Sequence, residues 1–181
     1  MQITPVDNEN NLFRVEHVFP KELATKVLNT AWPDLHWDRQ EGQELWARRR
    51  IRDSAIEWLP QWDEHLSNTW YNISKHTGVT TGGYAGTAFW LDEPGFTCGI
   101  HTDGEMPGSL HMTWHGPGTT FYWHKDESTI RFQVPSIPNC GYIMINQPDS
   151  TGYRKLLWHA MLTPVPKNTF RLTTYSWINT I

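Results

Sequence analysis

The sequence predicts a mainly β protein in which two N-terminal helices are laid against a β-barrel or double sheet. Two observations carry the prediction. Before residue 79, apolar residues recur at helical spacing in two stretches. From about residue 80, short runs of β-branched and aromatic residues alternate with Gly and Pro clusters at regular intervals. A length of 181 residues suits one core and is short for two. A single domain over 1–181 is therefore expected, with 1–79 as partly helical support and 80–181 as the β core.

The first helix is expected within "FPKELATKVLNTAW" (19–32), where Leu23, Val27 and Leu28 fall at helical spacing and Pro20 suits a first turn. The second lies within "SAIEWLPQWDEHLSNTWYNISKHTG" (54–78), which repeats the pattern with Trp62, Leu66, Trp70 and Ile73. Pro60 marks its opening, because an interior proline costs about 3 kcal/mol, and Gly78 marks its end. Seven strands follow, in "GTAFWLDEPG", "SLHMTWHGPG", "TTFYWHK", "TIRFQVPSIPN", "GYIMINQPDS", "LLWHAMLTPV" and "TFRLTTYSWI". That texture is of a sandwich or barrel.

Charge and composition exclude several classes. A net charge of −4 and a pI near 6.1 argue against a protein that coats nucleic acid or an anionic membrane. The one basic run, Arg48 to Arg50 with Arg52, reads as a solvated helix face rather than a phosphate patch. Cys98 and Cys140 make no disulfide framework. The N-terminus "MQITPVDNENNLF" lacks the pattern of a secretory signal, and no apolar run approaches the roughly 18 residues of a membrane helix. A cytoplasmic protein is expected. Eleven Trp is an unusual number, and serves either a well-filled core or the walls of a pocket.

Along the last strand, Arg171, Thr173, Tyr175 and Trp177 share one face. If that face points inward, the guanidinium requires an anion: either a dicarboxylic acid held in a bidentate pair or a buried protein carboxylate. His159 lies twelve positions earlier, beyond a Thr-Pro-Val-Pro turn, which places it on an adjacent antiparallel strand. The stretch "GIHTDGE" adds His101 and Asp103, whose spacing of two puts both on one side of an extended strand. Two imidazoles and a carboxylate make a facial triad, which leaves three adjacent positions open on an octahedral metal. A closed zinc site would want a fourth protein ligand at short spacing, and Cys98 and Cys140 form no such motif.

His101-x-Asp103 … His159 … Arg171-x-Thr173 resembles the signature of the 2-oxoglutarate- and Fe(II)-dependent dioxygenases, particularly the branch that includes prolyl 4-hydroxylases. The segments "HGPGTTFYW" (115–123), "IPNCGYIMI" (137–145) and "WHAMLTPV" resemble that family's supporting motifs in the same order, and the likeness covers about residues 80–181. It implies a double-stranded β-helix, the cupin-like jelly roll. It implies Fe(II) held by His101, Asp103 and His159, and 2-oxoglutarate whose far carboxylate meets Arg171 and Thr173. With O2, decarboxylation to succinate would be coupled to C–H oxidation. A tyrosine after the H-x-D often helps hold the co-substrate in this branch; here His111 or Thr113 stands in its place. Collagen-type prolyl hydroxylases carry lysine where this chain has Arg171, and the nucleic-acid demethylases add a second arginine that this strand lacks.

Tyr84, Phe89, Trp90, Asp92, Trp123 and His124 are candidates for the substrate approach. The substrate class is a peptide or a small molecule. Two alternatives stand beside the hydroxylase: a cupin-like metal-binding protein without oxygenase activity, and a structural β-sandwich that serves as an interaction module.

Overall fold

The computed structural model describes residues 1–7, 12–39, 48–51, 56–78, 80–103, 106–116, 120–124, 126, 128–146 and 157–179. Its elements in chain order are β1 (Gln2–Asp7), β2 (Leu12–Glu16), α1 (Lys21–Asn29), β3 (Trp37–Arg39), β4 (Arg48–Ile51), α2 (Leu59–Thr77) and β5 (Tyr84–Asp92). There follow β6 (Cys98–His101), β7 (Gly108–His115), β8 (Thr120–His124), β9 (Ile130–Pro135), β10 (Cys140–Ile145), β11 (Trp158–Met161) and β12 (Arg171–Ile178). An eight-stranded sheet runs β1-β2-β10-β7-β12-β5-β4-β3, and a four-stranded sheet runs β6-β11-β8-β9. From β5 onward the chain passes back and forth between the two sheets, the winding of a double-stranded β-helix.

Both expected helices form. Pro20 caps α1 and Pro60 sits in the first turn of α2, where a missing N–H leaves no hydrogen bond unmade. Gly78 ends α2 in the left-handed region at φ 69°, which a side chain would resist. Their apolar faces bury Val27, Trp62, Leu66, Trp70 and Ile73 against Phe89, Leu91, Leu110, Met112, Trp114 and Leu172 of the larger sheet. Each such side chain contributes about 1.5–3 kcal/mol of burial. Strand alternation then commits the opposite face of the same strands to the space between the sheets: Ser109, His111 and Thr113 on β7; Arg171, Thr173 and Tyr175 on β12. Those two faces explain why β7 is buried along nearly its whole length.

Most of the described tryptophans serve the helix-side core rather than a pocket. Trp62 stacks on Phe19 with ring centroids 4.1 Å apart and meets Trp114 at 5.6 Å. Its Nε1 donates to Thr87 Oγ1 at 3.0 Å, Trp114 donates to Thr174 Oγ1 at 3.2 Å, and Trp32 donates to the Val27 carbonyl at 2.8 Å. These three indole N–H groups are thereby satisfied inside an apolar cluster. A smaller cluster of Leu12, Trp123, Val134, Tyr142, Met144 and Met161 joins the two sheets.

The basic run departs from expectation. Residues 48–51 form strand β4, paired with β3 on one side and β5 on the other, not a helix. Pairing satisfies the backbone groups that β5 would otherwise leave open at its edge; Arg52 lies outside the described residues. The N-terminal region therefore supplies strands β1 to β4 to the larger sheet as well as helices. Cys98 and Cys140 form no disulfide. Among the described residues no helix is long and apolar enough to cross a membrane.

Candidate metal centre and its cavity

Strands β6 and β11 run antiparallel in the smaller sheet, and their register sets His159 directly opposite His101. The two rings stand 4.3 Å apart between centroids. Each has its Nδ1 against a backbone carbonyl two residues back: His101 at 2.7 Å from Gly99 O, His159 at 3.3 Å from Leu157 O. A nitrogen facing a carbonyl oxygen must be the donor, so in each neutral ring Nε2 carries the lone pair. Those two lone pairs point to one place.

Asp103 occupies it. β6 ends at His101, so Asp103 lies just past the strand rather than on it, yet its Oδ1 sits 3.8 Å from His101 Nε2 and 3.4 Å from His159 Nε2. Ligand atoms of the three residues all lie within 4.8 Å of one another. Three electron-rich atoms facing one another across such distances repel unless a cation or a proton stands among them. A divalent ion fits the donor set, and among the described residues no fourth protein ligand closes it.

The other carboxylate oxygen is held from the larger sheet. Asp103 Oδ2 lies 2.9 Å from His111 Nε2 and 3.5 Å from Ser109 Oγ. Burial pushes the Asp103 carboxyl up, but the imidazoles of His111 and His159 outweigh it and hold the group well below the usual carboxylate range. Burial pushes the His111 imidazole down, toward its neutral form. Tyr175 beside it is pushed up by burial and by the Asp103 charge, and keeps its proton.

A cavity of about 230 Å³ opens on this cluster, walled by Trp90, Cys98, Met161, Thr173, Thr174 and Tyr175 in addition to the histidines and Asp103. Thr173 faces Thr113 across the β12–β7 pairing. Both hydroxyls are buried, and neither has a hydrogen-bond partner among the described residues. Orphaned buried hydroxyls cost about 1–3 kcal/mol each, and two side by side are suited to an anion or another polar ligand group.

Arg171 is placed otherwise than a waiting guanidinium. It pairs with Asp92 across β12 and β5, Nε to Oδ2 at 2.8 Å, and Nη1 donates to the Thr163 carbonyl at 3.0 Å. Its guanidinium carbon lies 5.6 Å from the Phe96 ring centroid. Both charged side chains are sealed from solvent, and Arg171 is not among the residues lining the cavity. Of the two anions the sequence left open for it, the protein carboxylate is the one present.

The remaining candidates separate. Trp90 lines the cavity, whereas Phe89 belongs to the helix-side core and Trp123 to the smaller cluster. The Tyr84 hydroxyl donates to Asp63 at 2.6 Å. His124 is buried opposite Trp158 on the pairing of β8 with β11. The sequence does not single out Ser109 or Tyr142, and offers Cys98 only as a fourth zinc ligand that its spacing disfavours; the alternation of Ser109, His111 and Thr113 along "SLHMTWH" is the available signal for the first.

No family model matches the chain, and no curated protein is similar to it in sequence. Solved structures are similar in three dimensions. A Pseudomonas putida prolyl-4-hydroxylase superposes with a TM-score of 0.64 at 13% identity, covering 95% of this chain and 94% of that one. The viral collagen prolyl hydroxylase of Paramecium Bursaria Chlorella virus-1, in its 2-oxoglutarate complex, gives 0.63 at 12%, covering 98% and 100%. The shared fold is the double-stranded β-helix. A non-haem α-ketoglutarate-dependent epimerase, SnoN from nogalamycin biosynthesis, gives 0.64 at 10%, covering 92% and 76%. The β-helix of this chain is thus like that of prolyl hydroxylases and of at least one epimerase, and chemistry must be argued from its own site.

Proposed function

We propose that the protein is an Fe(II)- and 2-oxoglutarate-dependent dioxygenase, a hydroxylase acting on a small molecule or a peptide. The observation that supports this reading above others is the convergence of His101 Nε2, Asp103 Oδ1 and His159 Nε2 at the wall of a cavity. Bound there, Fe(II) supplies the redox chemistry by which O2 and 2-oxoglutarate, itself decarboxylated to succinate, oxidise a C–H bond. His101, Asp103 and His159 hold the metal and leave one side of it to the cavity. The Gly99 and Leu157 carbonyls fix the tautomer of the two imidazoles. The Thr173 and Thr113 hydroxyls offer hydrogen bonds to the co-substrate's far carboxylate, and Arg171 offers it a charge that it must share with Asp92. Trp90, Met161 and Tyr175 exclude water and bound the space left for substrate.

Anaerobic protein given Fe(II), 2-oxoglutarate and then O2, with succinate followed by mass spectrometry, tests the reading. Slow turnover without primary substrate is expected, abolished in His101→Ala. Equal succinate from wild type and variant would contradict it. One observation favours a second reading, a cupin-like metal-binding protein: the Arg171 charge is already neutralised by Asp92. That reading predicts metal binding with no 2-oxoglutarate binding.

A further inference from the structure

Resting on the metal-centre reading above, we infer that His111 is a positioning residue that assigns the two oxygens of Asp103, holding Oδ2 away so that Oδ1 alone is presented to the metal. A carboxylate turns about a soft terminal torsion, and nothing intrinsic to Asp103 decides whether it offers one oxygen or both. Offering both would consume one of the positions that the open site must keep for its ligands. In this chain the decision is built into β7. His111 Nε2 reaches Oδ2 at 2.9 Å, while Oδ1 is left 3.4 Å from His159 Nε2 and 3.8 Å from His101 Nε2. Ser109, two residues earlier on the same face, adds its hydroxyl 3.5 Å from the same Oδ2.

The ring that does this is itself clamped. Tyr142 of β10 lies parallel to it, 5° between planes and 4.8 Å between centroids. Tyr175 of β12 meets it nearly edge-on at 4.7 Å. β10, β7 and β12 are consecutive neighbours in the larger sheet, so two flanking strands hold the ring that the middle strand carries. An added Cβ at Gly141, beside Tyr142, would collide with the His111 carbonyl oxygen, which shows how closely β10 approaches β7 there. The donor is therefore rigid, and Asp103, just past the end of β6 in the smaller sheet, is oriented by a group on the larger one.

Mn(II) binding followed by calorimetry and electron paramagnetic resonance tests the inference without any turnover. His111→Phe keeps a flat ring between the tyrosines and removes the donor; His111→Asn keeps a donor too short to reach; His111→Gln places an amide N–H near the position of Nε2. Affinity for Mn(II) is expected to fall about 10–100-fold in the Phe and Asn variants, with a changed resonance line shape, and to return to within a few-fold of wild type in the Gln variant. If the Phe variant does not fold, the Asn and Gln pair carries the same comparison. Wild-type affinity and line shape in a folded Phe or Asn variant, or equal loss in Asn and Gln, would overturn the inference while leaving the metal centre intact. Wild type that binds no Mn(II) overturns both.

Discussion

Arg171 and Asp92 face each other across β12 and β5 with 2.8 Å between Nε and Oδ2, neither exposed to solvent. Their charges cancel where the proposed co-substrate would bring a carboxylate. Replacing Asp92 with Asn keeps the shape and frees the cation. Asp92→Asn is expected to bind 2-oxoglutarate several-fold more tightly in the Mn(II)-loaded protein. It should also lose stability on the order of 3–5 kcal/mol, as when one partner of a buried pair is removed. Calorimetry and urea unfolding measure the two; unchanged 2-oxoglutarate affinity would mean that Asp92 and the co-substrate do not compete for Arg171.

The orphaned hydroxyls make a prediction of opposite sign for the ligand-free and ligand-bound protein. Thr173→Val removes a buried hydroxyl without a partner among the described residues, so the ligand-free protein should melt at the same or a higher temperature. The same variant should bind 2-oxoglutarate about tenfold more weakly, since a lost hydrogen bond to a charged group is worth about 1.5–3 kcal/mol. Parallel loss of both quantities would show instead that the hydroxyl is structural.

Trp62 separates fold from site. It is fully buried between Phe19, Phe89 and Trp114, on the helix side of the larger sheet. Trp62→Ala should cost about 3–5 kcal/mol of stability. Mn(II) affinity per folded molecule should stay at the wild-type value, because its face of the sheet is not the face that carries His111 and Thr173. Denaturant titration and metal titration on the same sample provide the check.

At the turn between β8 and β9, Asp126 accepts from the Ser128 N–H at 2.8 Å, the Ser128 hydroxyl at 2.9 Å and the Thr129 N–H at 2.9 Å. Those donors, the Ser128 backbone first, lower its carboxyl to about 2. A carboxyl lowered on folding contributes stability above its unfolded value, and that contribution drains away as pH falls through the folded one. Between about pH 4 and pH 2, wild type should therefore lose stability more steeply than Asp126→Ala, as read from urea midpoints across that range.

Much of this was legible before any coordinates. Both helices and the seven expected strands form where periodicity, proline and glycine put them, because one face of each is apolar and must be covered; an eighth strand after residue 80, β6 (Cys98–His101), lies outside those seven stretches. The turn before Arg171 does not set His159 on a neighbouring strand as expected: β11 lies in the smaller sheet between β6 and β8, and β12 in the larger one, so His159 faces His101 instead. Other features were not legible. Asp92 sits on a strand whose alternation reveals its face, but only the register of β5 with β12 brings it to Arg171. Arg48 to Arg50 carry no alternation that distinguishes a strand from a helix; the open edge of β5 decides. The family likeness offers His111 or Thr113 as a co-substrate contact by strand position alone, and that likeness carries no sign that His111 meets Asp103. Its contact with Asp103 depends on how the chain crosses from one sheet to the other after His101, a path that no local pattern encodes.

Calorimetric titration of 2-oxoglutarate into anaerobic protein, metal-free and Mn(II)-loaded, in wild type and His159→Ala, addresses the metal centre most directly. Binding by metal-loaded wild type alone is predicted, since the keto acid needs an ion held by His101, Asp103 and His159 to reach its place. Binding that is equal with and without metal, or that survives in His159→Ala, would contradict the account.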